Sequence, residues 1–172
     1  LLEEEVKPYL IVNEYQHEGW DIFTLPSILE WHSNLIKKAK EGKKLFVVTA
    51  AQKAGSKNGT MAIENRILKL FPWLRVLRVD HDTLRQKGHP ACEGKGDFDA
   101  LFKQYDIVIS SPSLVSGISL ELKGHFDEVW GLSTGAITPM NFVQFLWRLR
   151  ENIPRFIHVN KLSNIGLIGN GS

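Results

Sequence analysis

The chain has few of the features that staple or anchor a protein. Among 172 residues there is one cysteine, Cys92. No internal disulfide can form, which excludes a disulfide-framed secreted scaffold and makes a cytoplasmic home the expectation. No apolar run is long enough to span a bilayer, and no signal-peptide pattern opens the chain, so no membrane partner is expected. Neither charge sign dominates: 21 Lys and Arg against 19 Asp and Glu leave a net charge of +2. That is too little to mark a nucleic-acid binder by charge alone, although a local basic groove stays compatible with it. The string Gly-x-x-x-x-Gly-Lys-Ser/Thr is missing, so no P-loop is present to hold nucleotide phosphates. There is no internal repeat and no low-complexity tract.

What is present reads as a folded domain. Hydrophobic residues make up 43% and charged residues 23%, which suits a single core of ordinary size. Leu1 rather than Met opens the chain, which suggests a piece of a longer protein. Residues 1–24 read as a linker or edge segment, 25–160 as the domain and 161–172 as a tail. Leu25, Ile28, Leu29, His32, Leu35, Ile36 and Ala39 recur at helical spacing, with Gly42 as the stop. "LFVVTA" (45–50) is a short β-branched run of buried-strand type. Ile63, Ile67, Leu70 and Phe71 trace a second helix, halted at Pro72. "LRVLRVD" (74–80), "DIVIS" (106–110), "EVWGL" (128–132) and "RFIHV" (155–159) read as strands, and 97–104 as a helix. Thr138-Pro139 opens a last helix that should run to about Asn152, before Pro154. The alternation predicts an α/β fold in three layers around a mainly parallel sheet. Ligands of such sheets sit beyond the carboxyl ends of the strands, so loops 51–59, 80–96, 111–119 and 132–138 are the places to look.

"AAQKAGSKNGT" (50–60) joins a strand to a helix and is rich in Gly, Ser, Asn and Lys. Such a loop can hold a phosphate with backbone N–H groups, or it is a solvated turn. The loop 80–96 contains His81, Asp82, His89 and Cys92, but their spacing matches no zinc pattern, and no metal is expected. Lysines 37, 38, 40, 43 and 44 form the wet face and exit of the first helix. The five tryptophans are assigned to packing.

Two stretches in order carry a resemblance. In "ISSPSLVSGISL" (109–120), Ser111, Gly117 and Ser119 stand where the fifth motif of superfamily 2 helicases has Thr, Gly and Asp. In "QFLWRLR" (144–150), Gln144 and Arg148 match the sixth motif, Trp147 replaces its Gly, and Arg150 comes one position early. The pair is similar to the variant form in herpesvirus origin-binding helicases and in cyanobacterial plasmid replication proteins. "FVVTAAQK" (46–53) then matches the fourth-motif strand and loop. The resemblance covers about residues 43–160, the second RecA-like domain of such a motor.

The resemblance implies a role in DNA or plasmid replication. ATP with Mg²⁺ would be bound mainly by a first RecA-like domain of the same protein, carrying the P-loop and an Asp-Glu box that this chain lacks. Arg148 and Arg150, with Gln144 one turn before Arg148, would face the γ-phosphate as catalytic groups. Gly117 and Ser119 would lie at the nucleotide, although a hydroxyl accepts more weakly than the family's usual carboxylate. Thr49, Lys53, Ser56, Ser111 and Ser113 would hold the phosphates of single-stranded or duplex DNA without reading its sequence. Two other readings fit the same residues: a non-enzymatic α/β module for a phosphorylated ligand, and an interaction domain of a replication protein.

Overall fold

The computed structural model describes residues 19–51, 53–112 and 120–160. Eleven elements follow in the order β1 (Ile22–Thr24), α1 (Ile28–Lys40), β2 (Leu45–Ala50), α2 (Thr60–Leu70), β3 (Val76–Val79), α3 (Pro90–Glu93), α4 (Phe98–Phe102), β4 (Ile107–Ser110), β5 (Glu128–Ser133), α5 (Pro139–Leu146) and β6 (Arg155–Val159). The six strands form one sheet in the order β1-β6-β5-β2-β4-β3. Every pairing is parallel, for example Val47 with Ile109 on one side and with Trp130 on the other. The protein is therefore α/β, with helices flanking a parallel sheet on both faces. This layering is compatible with a three-layer RecA-like fold.

The period-2 geometry of β2 explains the layering. Leu45 and Val47 face one way, where they meet Trp31, Leu35 and Ala39 of α1 and Ile63 and Ile67 of α2. Phe46, Val48 and Ala50 face the other way, toward Phe98 and Phe102 of α4 and Phe142 and Leu146 of α5. Both faces of β2 and β5 are thus closed, and all their residues are buried. Trp31 and Trp130 meet edge to face at 6.0 Å in the first layer. Rings of this kind bury about 150–250 Å² each, worth at most roughly 4–6 kcal/mol at about 25 cal/mol per Å².

Local signals set the helix starts. Ser27 caps α1 by accepting from the Glu30 N–H at 3.1 Å, and Ser27 with Glu30 has the capping-box spacing. Thr138 caps α5 through the Asn141 N–H at 3.3 Å, with Pro139 in the first turn. Gly131 of β5 lies under α5. A Cβ there would run into Leu146 and Phe142, so the helix can approach the sheet only because this residue is glycine.

Several sequence expectations need correction. α5 stops at Leu146, not near Asn152. Leu149 instead forms a parallel bridge with Leu120, and the Leu120 N–H donates to the Arg148 carbonyl at 3.1 Å. Leu29 and Leu70 point to solvent, because Trp31 and Ile67 take the buried positions of their helices. Trp73 is 73% exposed and meets the core only through the edge of Phe71, at 5.8 Å. Two elements add to the reading without contradicting it: residues 22–24, within the linker or edge segment, form the edge strand β1, and the loop 80–96 contains the one-turn helix α3.

Candidate functional site

A cleft of about 1040 Å³ opens beyond the carboxyl ends of β2, β3, β4 and β5. All four loops singled out from the sequence contribute to its wall: Lys53 and Ser56, His81 and Asp82, Ser111, and Ala136 and Ile137. The topology explains the position. From β2 the chain crosses to β3 on one side, and from β5 it crosses to β6 on the other. The cleft lies at this switch point, where diverging loops leave a crevice.

The 53–59 loop is held from below. Buried Thr49 donates its hydroxyl proton to the Asn58 carbonyl at 2.6 Å. His32 of α1 meets the Asn58 side-chain oxygen at 2.9 Å. Burial lowers the His32 pKa, and Arg66 and Lys57 push the same way against the Asn58 hydrogen bond, so the neutral ring donates here. Ser56 donates its hydroxyl to the Lys53 carbonyl at 2.8 Å. Gly59 then begins α2 without a side-chain cap, and a Cβ there would collide with the carbonyls of Lys53 and Ala54. The uncapped end leaves a positive helix pole at the cleft wall. Thr49 and Ser56 thus spend their protons on the loop. Lys53 and Lys57 are both exposed, and Lys53 is the one that lines the cleft.

On the β3 side the wall is a buried polar network. Asp80, 2% exposed, accepts from the Thr60 hydroxyl at 2.5 Å and from the N–H groups of Asp82 and Thr83 at 3.1 and 3.0 Å. Arg78 bridges Asp80 at 3.6 Å and Glu64 at 3.3 Å. Burial alone would raise the Asp80 pKa. The Thr60 hydroxyl, the two N–H groups and Arg78 together outweigh it and hold the carboxyl below its ordinary value. Burial raises the pKa of Glu64, with Arg78 opposing. Asp80 therefore fastens the start of α2 to the end of β3, and its lone pairs are engaged.

The arginines lie elsewhere. Neither Arg148 nor Arg150 lines the cleft. Both belong to a turn between α5 and β6. Arg148 is off the helix, so it does not share a helical face with Gln144, which stays exposed on α5. Leu149 is fully buried in its bridge to Leu120, while Arg148 is half-buried and Arg150 exposed. Arg148 and Arg150 thus flank the bridged Leu149 in a turn, not on a helix face. Arg150 pairs with Glu121 at 3.5 Å, both well exposed, a contact of little energy.

Sequence reasoning missed Arg155, the group that holds this turn. It is fully buried at the start of β6. Its guanidinium donates to the carbonyls of Ile153, Leu149 and Glu151 at 2.7, 2.9 and 3.0 Å. It lies 4.1 Å from the ring centre of Trp20 and 5.1 Å from that of Trp147. Burial pushes its pKa down to about 10, which leaves it cationic at neutral pH. The charge inside a run read as a plain strand was the signal.

Gly117, Ser119 and Ser113 lie outside the described residues. Among those described, no group of three His, Cys, Asp or Glu side chains could hold a metal ion, and no helix is long and apolar enough to cross a membrane.

No family model matches the chain. It is 36% identical over 164 residues to an uncharacterized protein of Picosynechococcus sp. (strain PCC 7002). The match covers 92% of this chain and 16% of that protein, so the chain spans about a sixth of the length of the curated relative.

Proposed function

We propose that the chain is the second motor domain of an ATP-dependent nucleic-acid helicase acting in DNA or plasmid replication. The observation that carries this reading is the placement of Arg148 and Arg150 on either side of the bridged Leu149, in a turn off the helix, in the sequence context of the sixth helicase motif. Two guanidinium groups close together in the chain suit a polyphosphate, where paired N–H donors match the oxygens. Arg150 already holds a carboxylate loosely and can exchange it for phosphate. The nucleotide would sit mainly on the first RecA-like domain, which supplies the P-loop and the Mg²⁺ ligands. Arg148 and Arg150 would neutralise charge spreading on the γ-phosphate, and Gln144 on α5 would approach from the same region.

The cleft supports the second half of the reading. Lys53 and the N-terminal pole of α2 offer positive potential to a strand backbone, and Ser111 lines the same cleft. Asp82 at the rim limits how strongly charge alone can hold the strand. The cleft's volume also favours one alternative, a non-enzymatic module for a phosphorylated small ligand.

Hydrolysis assays separate these readings. The purified chain should turn over no ATP. A longer protein in which a P-loop domain precedes it should hydrolyse ATP and respond to single-stranded DNA. A longer protein with a P-loop domain that binds ATP but never hydrolyses it, with or without DNA, would defeat the motor reading.

A further inference from the structure

Arg155 packs against two neighbouring tryptophans from different parts of the chain. Trp147 ends α5, just before the arginines. Trp20 lies where the chain enters the domain, two residues before β1. The rings sit 5.6 Å apart, with the guanidinium against both. The Arg155 N–H also donates to the Asp21 carbonyl at 2.8 Å. One residue thus touches the entering chain through its backbone and one aromatic face. Through its guanidinium it holds three carbonyls of the arginine turn.

The entering segment is the weaker partner. β1 has three residues, all exposed, and pairs with Arg155, Phe156 and Ile157 of β6, with Leu25 after it bonded to Ile157 and His158. One stacked pair, Phe23 on Phe156 at 5.0 Å, reinforces it. A short edge strand of this kind opens more readily than the buried strands β2 and β5. The turn it reports to has no regular ladder of its own beyond the single Leu120–Leu149 bridge.

We propose that Arg155 is a positioning residue, clamped by Trp20, that couples the place of the entering chain to the setting of the Arg148–Arg150 turn. With Trp20 docked, the guanidinium is fixed and so is the turn that carries both arginines. With Trp20 displaced, the guanidinium loses one aromatic face and the turn loosens. The functional meaning rests on the motor reading: the segment that precedes this domain would set the readiness of its arginines. The coupling itself needs no nucleotide.

Amide hydrogen exchange on the whole chain tests the coupling. Trp20→Ala should make the N–H groups of Trp147, Arg148 and Ile153 exchange about tenfold faster. Amides of β2 and β4 should keep their protection. Trp20→Phe, which restores an aromatic face, should recover most of the effect, and Trp73→Ala should leave the turn unchanged. Unchanged exchange at the turn in Trp20→Ala would overturn the proposal. Uniform acceleration across β2, β4 and the turn would overturn it too, because that is general loss of stability. Arg155→Lys keeps the charge but not the planar fork, and should loosen the turn as Trp20→Ala does. In a longer, ATP-hydrolysing protein, Trp20→Ala should lower kcat more than it changes KM. A changed turn with unchanged hydrolysis would leave the coupling standing and count against the motor reading alone.

Discussion

Thr49, Thr60 and Asp80 in the cleft wall are each 1–2% exposed and are tied by short hydrogen bonds from several directions. The arginine turn is held mainly by one guanidinium and one backbone bridge, with the Gly124 N–H on Glu151 and the exposed Arg150–Glu121 pair as outer contacts. The cleft grows directly out of four buried strand ends, so the sheet itself sets its walls. The turn is spliced between a helix and a strand, and its shape depends on a side chain that follows it in sequence. A rigid wall suits a surface that grips a uniform backbone. A turn held at few points suits a group that must move into register with a partner. Each region can be disturbed separately, and the following tests do so.

The largest effect should come from the turn. In a longer, ATP-hydrolysing protein, Arg148→Ala and Arg150→Ala should each lower kcat by about 10³–10⁵-fold. The KM for ATP should move far less if the contact belongs to the transition state. Steady-state kinetics reads both. Activity within a few-fold of the parent in both variants would remove the arginines from the chemistry. Loss in Arg148→Ala alone would mean that Arg150 serves only its pair with Glu121.

Acid should act on the other region. The folded-state pKa of Asp80 lies below its unfolded value, which is about 3.9. Its contribution to stability is therefore full above that value and is lost as pH falls through the folded value. Arg155, at about 10, stays charged across the same window. The cleft wall should thus loosen in acid while the turn keeps its cation. Asp80→Asn should cost about 1–3 kcal/mol at pH 7 and flatten the loss of stability between about pH 5 and pH 2. Denaturant titrations across that range check it. An acid limb as steep in Asp80→Asn as in the parent would place the sensitive carboxylate elsewhere.

How each region was legible follows from how it is built. "LFVVTA" (45–50) reads as β2 residue for residue, because a strand buried on both faces is a continuous apolar run. The four cleft loops could be named in advance, since strand ends and alternation locate them. Thr138 and Pro139 marked the start of α5 through their own chemistry. Its end was not legible. Nothing between Trp147 and Asn152 breaks a helix by propensity. The break comes from Leu120 and Arg155, one far back in the chain and one further on. β1 was hidden for another reason: three exposed residues carry no periodic signal. Leu29 and Leu70 misled because apolar residues at helical spacing do not reveal which neighbour wins the buried position.

The smallest expected effect probes the cleft as a backbone grip. Thr49 and Ser56 have their protons engaged within the wall, so Lys53 is the side chain whose removal should cost least in folding. A lysine that neutralises one phosphate releases about one condensed counterion. For single strands, log K then falls with log salt by about 0.7 per contact. Lys53→Ala should therefore reduce that slope by about 0.7, with the same change for every DNA sequence tried. Fluorescence anisotropy with labelled single strands at several salt concentrations measures it. An unchanged slope would take the strand away from this loop. A slope that changes for one sequence and not for others would be base reading and would overturn the backbone grip. The exchange rates of Trp147, Arg148 and Ile153 should not respond to Lys53→Ala. If they do, the two regions are mechanically joined, and the contrast between rigid wall and suspended turn fails.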